Sequence, residues 1–358
     1  MIAATRKVLN ATTLLMCLMV HGAASGSLLN GLVIFGDSLT DTGNNALVFD
    51  NIIGPPAPPG TLRTPAPIPT PDFVPTFPYD LNRYSNGQVW PEPFAALLGA
   101  HLGINLDAGA LPALLGGGNF AFGGARMGPP GATFPLNVAD QVALYLTQTG
   151  GVASPATLYV VQGGGNDARD ALLVAAGGGD PTPFIASYAA NTVSVLAQLH
   201  AAGAEHFLLL NVPDIGLAPA VRALGAIGMT AGTQVARDMN TSLEAMLDPL
   251  SPALLDGVRE FDVFQFLNDV ANAPSAFGFT DVASACAFDP VCIANPATTF
   301  FWDGIHPTAA AHAAIARGAF AALVRADIPE PPIVVLVALA LFALLRMGSA
   351  GERCAARP

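Results

Sequence analysis

The chain has 358 residues and a formal net charge of -12, from 14 Lys and Arg against 26 Asp and Glu. A hydrophobic content of 52% with only 11% charged residues provides for one large core and excludes a disordered acidic protein. No Lys/Arg stripe is available to neutralise phosphates, which excludes nucleic acid as a partner.

Taken in order, Arg6 and Lys7, the apolar stretch Leu14 to Val20 and the small residues Gly22-Ala23-Ala24 have the three-part pattern of a signal peptide over residues 1–24. The apolar run is short for a membrane span, and Cys17 within it is expected to leave with the leader. Leu32 to Phe35 is a short buried strand, followed at once by the polar turn Gly36-Asp37-Ser38-Leu39-Thr40-Asp41-Thr42-Gly43-Asn44. The prolines of residues 54–78 forbid a helix or a central strand, so this stretch reads as a surface insertion near the serine, either a cover for a substrate mouth or a solvated decoration.

Pro91 near a first turn starts a helix that runs from Phe94 to Leu102. Asn119 to Phe122 reads as a second strand ending at Gly123-Gly124, and Val138, Gln141, Val142, Tyr145 and Leu146 mark one face of the next helix. Thr157 to Val161 is a third strand with Gln162 to Asp167 at its C-terminal end, Pro183 to His200 a helix, and His206 to Val212 a fourth strand. Val235, Met239, Leu243, Met246 and Leu247 place a core stripe on a long helix. Glu260 to Phe266 reads as a fifth strand, and Pro307 to Val324 as a closing helix started by its proline. Strands alternating with helices predict a parallel sheet covered on both faces.

Ser38 falls just past a buried strand, where open α/β sheets put their reactive groups. Asp303-Gly304-Ile305-His306-Pro307 lies near the other end of the predicted domain. Serine, aspartate and histidine are the side chains a serine hydrolase needs, and their order along the chain is not diagnostic. Alone, the first stretch would read as an ordinary turn and the second as a helix-cap histidine beside a turn aspartate.

Two further stretches lie between them: Asn119-Phe120-Ala121-Phe122-Gly123-Gly124-Ala125 and Gly164-Gly165-Asn166-Asp167. In this order the four motifs resemble those of the GDSL family of esterases and lipases, the SGNH hydrolases, and the resemblance spans Leu32 to Arg325. It implies a flavodoxin-like three-layer α/β/α sandwich with a mainly parallel five-stranded sheet, in a domain of residues 28–325. No Gly-x-Ser-x-Gly occurs, so the nucleophile elbow of the α/β-hydrolase superfold is absent.

By chemistry, Ser38 is the candidate nucleophile, His306 the base that takes its proton, and Asp303 the carboxylate that orients the imidazole. By resemblance, the oxyanion donors are the Ser38 N–H, the Gly124 N–H and the Asn166 side-chain amide, with Gly123 the alternative to Gly124. Asp37, Asp41 and Asn44 are expected to organise the serine turn, and Asp167 to be structural. His101, His200, His206 and His312 have no comparable partner in the sequence. No metal-ligand spacing or phosphate-loop pattern occurs, so no cofactor is expected.

Pro329-Glu330-Pro331, the thirteen-residue apolar run Ile333 to Leu345 and the scattered Arg346, Arg353 and Arg357 resemble a PEP-CTERM sorting signal over residues 328–358. That resemblance implies export to the cell surface or beyond in a Gram-negative bacterium, membrane contact through the tail, and sorting machinery as a partner. A plain hydrophobic anchor is the other reading. In an oxidising compartment Cys286 and Cys292 are expected to pair, with a free buried pair as the alternative. The expected substrate is an ester: a lipid, a short-chain ester or an acetylated polysaccharide. Acyl transfer by the same residues is the nearest rival, and a non-catalytic surface or matrix binding protein is the rival of another class.

Overall fold

The computed structural model describes residues 29–53, 79–80, 82–128 and 134–325. The expected leader (1–24), insertion (54–78) and tail (328–358) lie outside them. The described chain runs β1 (Gly31–Phe35), α1 (Asn44–Ile53), α2 (Pro91–Leu102), α3 (Val138–Gln148), β2 (Thr157–Gln162), α4 (Gly165–Ala176), α5 (Thr182–Ala201) and β3 (His206–Leu210). It continues through α6 (Gly225–Leu247), β4 (Val258–Phe261), α7 (Val263–Asn272), β5 (Asp281–Ala285), β6 (Thr299–Phe301) and α8 (Ala309–Arg325), with one-turn helices between them.

β1 to β4 form one parallel sheet in that order, with Ile34 opposite Val160 and Val160 opposite Leu208. Because side chains alternate along a strand, each strand feeds two cores. Val33, Phe35, Tyr159, Val161, Phe207 and Leu209 pack toward residues of α3, α4, α5 and α6. Their neighbours Leu32, Ile34, Leu158, Val160, Leu208 and Leu210 pack toward α2 and α8. The result is the three-layer α/β/α sandwich.

The expected five-stranded sheet is corrected to four strands plus a bridged segment. Residues 119–122 run beside β1: Ile34 N–H donates to the Gly118 carbonyl, Phe120 N–H to the Ile34 carbonyl and Phe122 N–H to the Gly36 carbonyl. The Asn119 side chain bonds to the Thr40 carbonyl and the Ala121 N–H, which draws this stretch out of a regular ladder. Counting it as second, the order is 2-1-3-4-5, and the sheet reverses direction of growth between β1 and β2. Ser38 and Asn166 follow those two strands.

Other boundaries also move. The strand expected over Glu260 to Phe266 ends at Phe261, because Asp262 caps α7 by accepting the Gln265 N–H. Met246 of the expected stripe on α6 is exposed, off the face on which Val235, Met239 and Leu243 are buried and Leu247 packs against the core. α1 and the separate parallel pair β5–β6 have no counterpart in the sequence reading. Cys286 and Cys292 form a disulfide, with their Cα atoms 5.2 Å apart. Among the described residues, no helix is long and apolar enough to cross a membrane.

Candidate active site

The chain leaves β1 at Phe35 and turns sharply through Gly36 to Asp41. Two buried glutamines fix that turn. Gln141 on α3 accepts the Gly36 N–H and donates to the Gly36 carbonyl, while the Gln162 Oε1 at the end of β2 accepts from the Asp37 N–H and the Thr40 hydroxyl. Asp41 completes the frame by accepting the N–H groups of Gly43, Asn44, Asn45 and Gly123. Burial pushes its carboxyl up to about 6 against those four donors. Burial likewise raises Asp37, which accepts the Leu39 N–H.

Ser38, presented by this frame, lies 2.9 Å (Oγ) from His306 Nε2, and His306 Nδ1 lies 2.7 Å from Asp303 Oδ2. All three side chains are buried. The other Asp303 oxygen accepts the Ile305 and His306 N–H groups at 2.8 and 2.6 Å, closing the loop that lets a carboxylate reach a ring three residues on. The Tyr79 hydroxyl donates to Asp303 Oδ2 at 2.7 Å. Burial alone would raise the Asp303 carboxyl, but the adjacent His306 and these N–H donors hold it below its ordinary value. An ionised carboxylate at Nδ1 keeps the proton on that nitrogen and leaves Nε2 to accept from Ser38. The Tyr84 ring packs over the imidazole, centroids 5.2 Å apart, and fixes its plane.

The oxyanion candidates divide clearly. The Gly123 N–H is committed to Asp41 Oδ2 at 3.0 Å, whereas among the described residues nothing accepts from the Ser38 or Gly124 N–H. Gly124 has φ of +83°, a conformation that favours glycine. Asn166, at the start of α4, gives one Nδ2 hydrogen to the Ala125 carbonyl at 2.8 Å and keeps the other. Ser38, Asn166 and His306 line one cavity of about 130 Å³; Gly124 is not among its walls. Asp167 accepts the Met127 N–H, a structural role, and burial pushes it up to about 6.

Several residues the sequence reading passed over belong to this site: Tyr79, Tyr84, Gln141, Gln162, and the cavity wall on α4 and after β3. Arg83 and Asn86 have structural roles: Arg83 pairs with Asp80 and Glu92, and Asn86 accepts the Ala309 N–H. His312 is buried, accepts the Trp90 N–H and is pushed down to about 3 by that burial. Among the described residues, no cluster of His, Cys, Asp or Glu is arranged to hold a metal ion.

Comparison with known proteins finds a family match and several similar chains. The family described as GDSL-like Lipase/Acylhydrolase matches residues 32–319. A GDSL esterase/lipase of Arabidopsis thaliana is 28% identical over 341 residues, covering 84% of this chain and 92% of that protein. Among solved structures, the acetylxylan esterase Axe2 of Geobacillus stearothermophilus aligns at 15% identity and a TM-score of 0.41, covering 85% of this chain and 97% of that one. An extracellular lipase of Streptomyces rimosus aligns at 16% identity and a TM-score of 0.42, covering 83% and 99%.

Proposed function

The chain belongs to the GDSL-like lipase/acylhydrolase family, and from that premise we propose an exported serine esterase that works through an acyl-enzyme on Ser38. That it hydrolyses esters follows from the family; the mechanism is our reading of the site. His306 Nε2 takes the Ser38 proton as Oγ attacks the ester carbonyl, and the C–O bond to the alcohol breaks as the imidazolium returns that proton to the leaving oxygen. Water then repeats the sequence on the acyl-enzyme and releases the acid. Asp303 keeps Nδ1 protonated and favours the imidazolium. The Ser38 and Gly124 N–H groups and the Asn166 amide take up the charge on the carbonyl oxygen.

The observation that carries this reading is the unbroken chain Asp303 Oδ2–His306–Ser38 Oγ, at 2.7 and 2.9 Å. The test is hydrolysis of p-nitrophenyl esters by the protein and its Ser38→Ala variant, with a serine-directed fluorophosphonate as an independent label. We expect the variant to lose about 10⁴–10⁶ in kcat and all labelling. Equal rates from two folded proteins would favour a surface binding protein instead. Acyl transfer uses the same residues, and product analysis with added glycerol separates it: glyceride in place of free acid would make the protein a transferase.

Export is supported by the leader-like pattern of residues 1–24 and by the disulfide, which belongs in an oxidising compartment. Fractionation of bacteria expressing the full chain is expected to find it outside the cytoplasm, held to membrane through residues 328–358. A reduced, cytoplasmic full-length protein would overturn this part alone.

A further inference from the structure

We propose that the cavity beside Ser38 is an acyl-chain pocket that selects medium-length aliphatic acyl groups over acetyl. The proposal rests on the esterase reading above and names the substrate class for that site. The cavity wall includes the reacting Ser38 and His306 with Asp37 and Asn166, and most of the rest of its lining is apolar. Its apolar walls include Leu172 of α4, Ile215 and Ala218 after β3, Leu267 of α7 and Phe301 of β6.

The two remaining charged wall residues do not make it a sugar site. Asp214 is turned to the Gly216 N–H, the Thr233 hydroxyl and the Asn268 amide. Arg169, one turn past Asn166, has its guanidinium bonded to the Asp170 carboxylate. Carbohydrate hydroxyls against the leucine and phenylalanine walls would lose water and find no partner. Methylene groups would lose only water.

Size sets the length. At about 130 Å³ the cavity is close to the apolar cavity of about 150 Å³ that takes up benzene, so it holds about six carbons. An acetyl methyl would leave most of it empty. The mouth does not cap the chain with polar groups. Leu173 and Leu224 line it and are half exposed, and Ile227, one turn beyond Leu224, stands 86% exposed. A chain longer than the pocket continues over this apolar rim.

The test is kcat/KM on p-nitrophenyl acetate, butyrate, hexanoate and octanoate, beside an acetylated oligosaccharide. It uses the protein, its Ser38→Ala variant and two filled variants, Ala218→Leu in the wall and Ala176→Trp at the exposed rim. At about fourfold per buried methylene, hexanoate should exceed acetate by about 10²-fold, and octanoate should at least match hexanoate. The octanoate-to-acetate ratio should fall at least about tenfold in a filled variant. Should Ala218→Leu fail to fold, Ala176→Trp decides, because position 176 is exposed. A Ser38-dependent profile that is flat, or that peaks at acetate or at the acetylated oligosaccharide, overturns the pocket and leaves the esterase standing. An unmoved ratio in a folded filled variant overturns the assignment to this cavity. Rates equal to Ser38→Ala on every ester end the esterase reading and the pocket with it.

Discussion

Asp303 carries four contacts on two oxygens: Oδ1 accepts two backbone N–H groups, and Oδ2 must be unprotonated to accept from both the Tyr79 hydroxyl and His306 Nδ1. Asp303→Asn is therefore expected to keep the shape of the loop but present an amide N–H to the imidazole or to Tyr79. We expect kcat to fall by about 10⁴, as when a triad carboxylate elsewhere is replaced and the wrong tautomer results. Asn166→Ala removes a neutral donor and should cost about 10²–10³ in kcat with little change in KM, read from saturation kinetics on a single ester. Asp41 answers to stability instead. Asp41→Asn turns an NH₂ toward backbone N–H groups and is expected to cost about 1–3 kcal/mol in urea unfolding. At this scale the sequence discloses what is local or carries its own motif. Asp303 and His306 are three residues apart, and the turn between them can be read directly. Tyr79 binds the same carboxylate from 224 residues away, just past a proline-rich stretch, and no spacing rule connects the two. Gln141 was visible only as one position on a helix face; that its amide would clamp Gly36 across 105 residues depends on how that helix lies on the sheet.

The elements that hold the cavity are set by close backbone approach. The turn Ile215–Leu217 is pressed onto α6, so that a Cβ at Gly216 would lie 2.3 Å from the Met229 carbonyl oxygen. Gly216→Ala must push turn and helix apart, at a cost of about 1–3 kcal/mol. Because Ile215 and Ala218 flank that glycine in the cavity wall, the variant should also change the ratio of octanoate to acetate hydrolysis. Loss of stability with an unaltered ratio would mean that the turn and the wall move independently. The long helices and central strands were legible because their apolar periods are strong and their strands buried on both faces. α1 was not, since its start depends on Asp41 accepting the N–H groups of its first turn. Nor were β5 and β6, whose pairing joins two short stretches, neither with a strong apolar alternation and β5 with no fully buried residue. The 119–122 stretch was legible as extended but not as an interrupted ladder, because the interruption is made by one asparagine bonding to its surroundings.

Across the whole molecule, the two ends of the domain meet on one face of the sheet, where α2 and α8 share a core with the strands. His312 sits in that seam, fully buried, with Nδ1 accepting the Trp90 N–H at the start of α2 and Nε2 without a partner. Burial, with a smaller contribution from His306, holds its pKa down to about 3, against about 6.5 for a histidine in an unfolded chain. Between those values the unfolded chain binds a proton at this position and the folded protein does not, so stability falls as pH falls from about 6.5 toward 3. Asp41 and Asp167 act in the opposite sense, because their carboxyls are raised to about 6 and the folded protein binds their protons more readily. Wild type alone would report the balance of these effects; comparison with His312→Asn, whose Oδ1 can take over the Trp90 N–H, isolates the histidine. Urea unfolding of both proteins from pH 7 to pH 4 is expected to show the wild type losing about 1 kcal/mol per pH unit more than the variant below pH 6. Parallel curves would mean that the seam admits a charged imidazole, with α2 and α8 parting enough to let water reach Nε2.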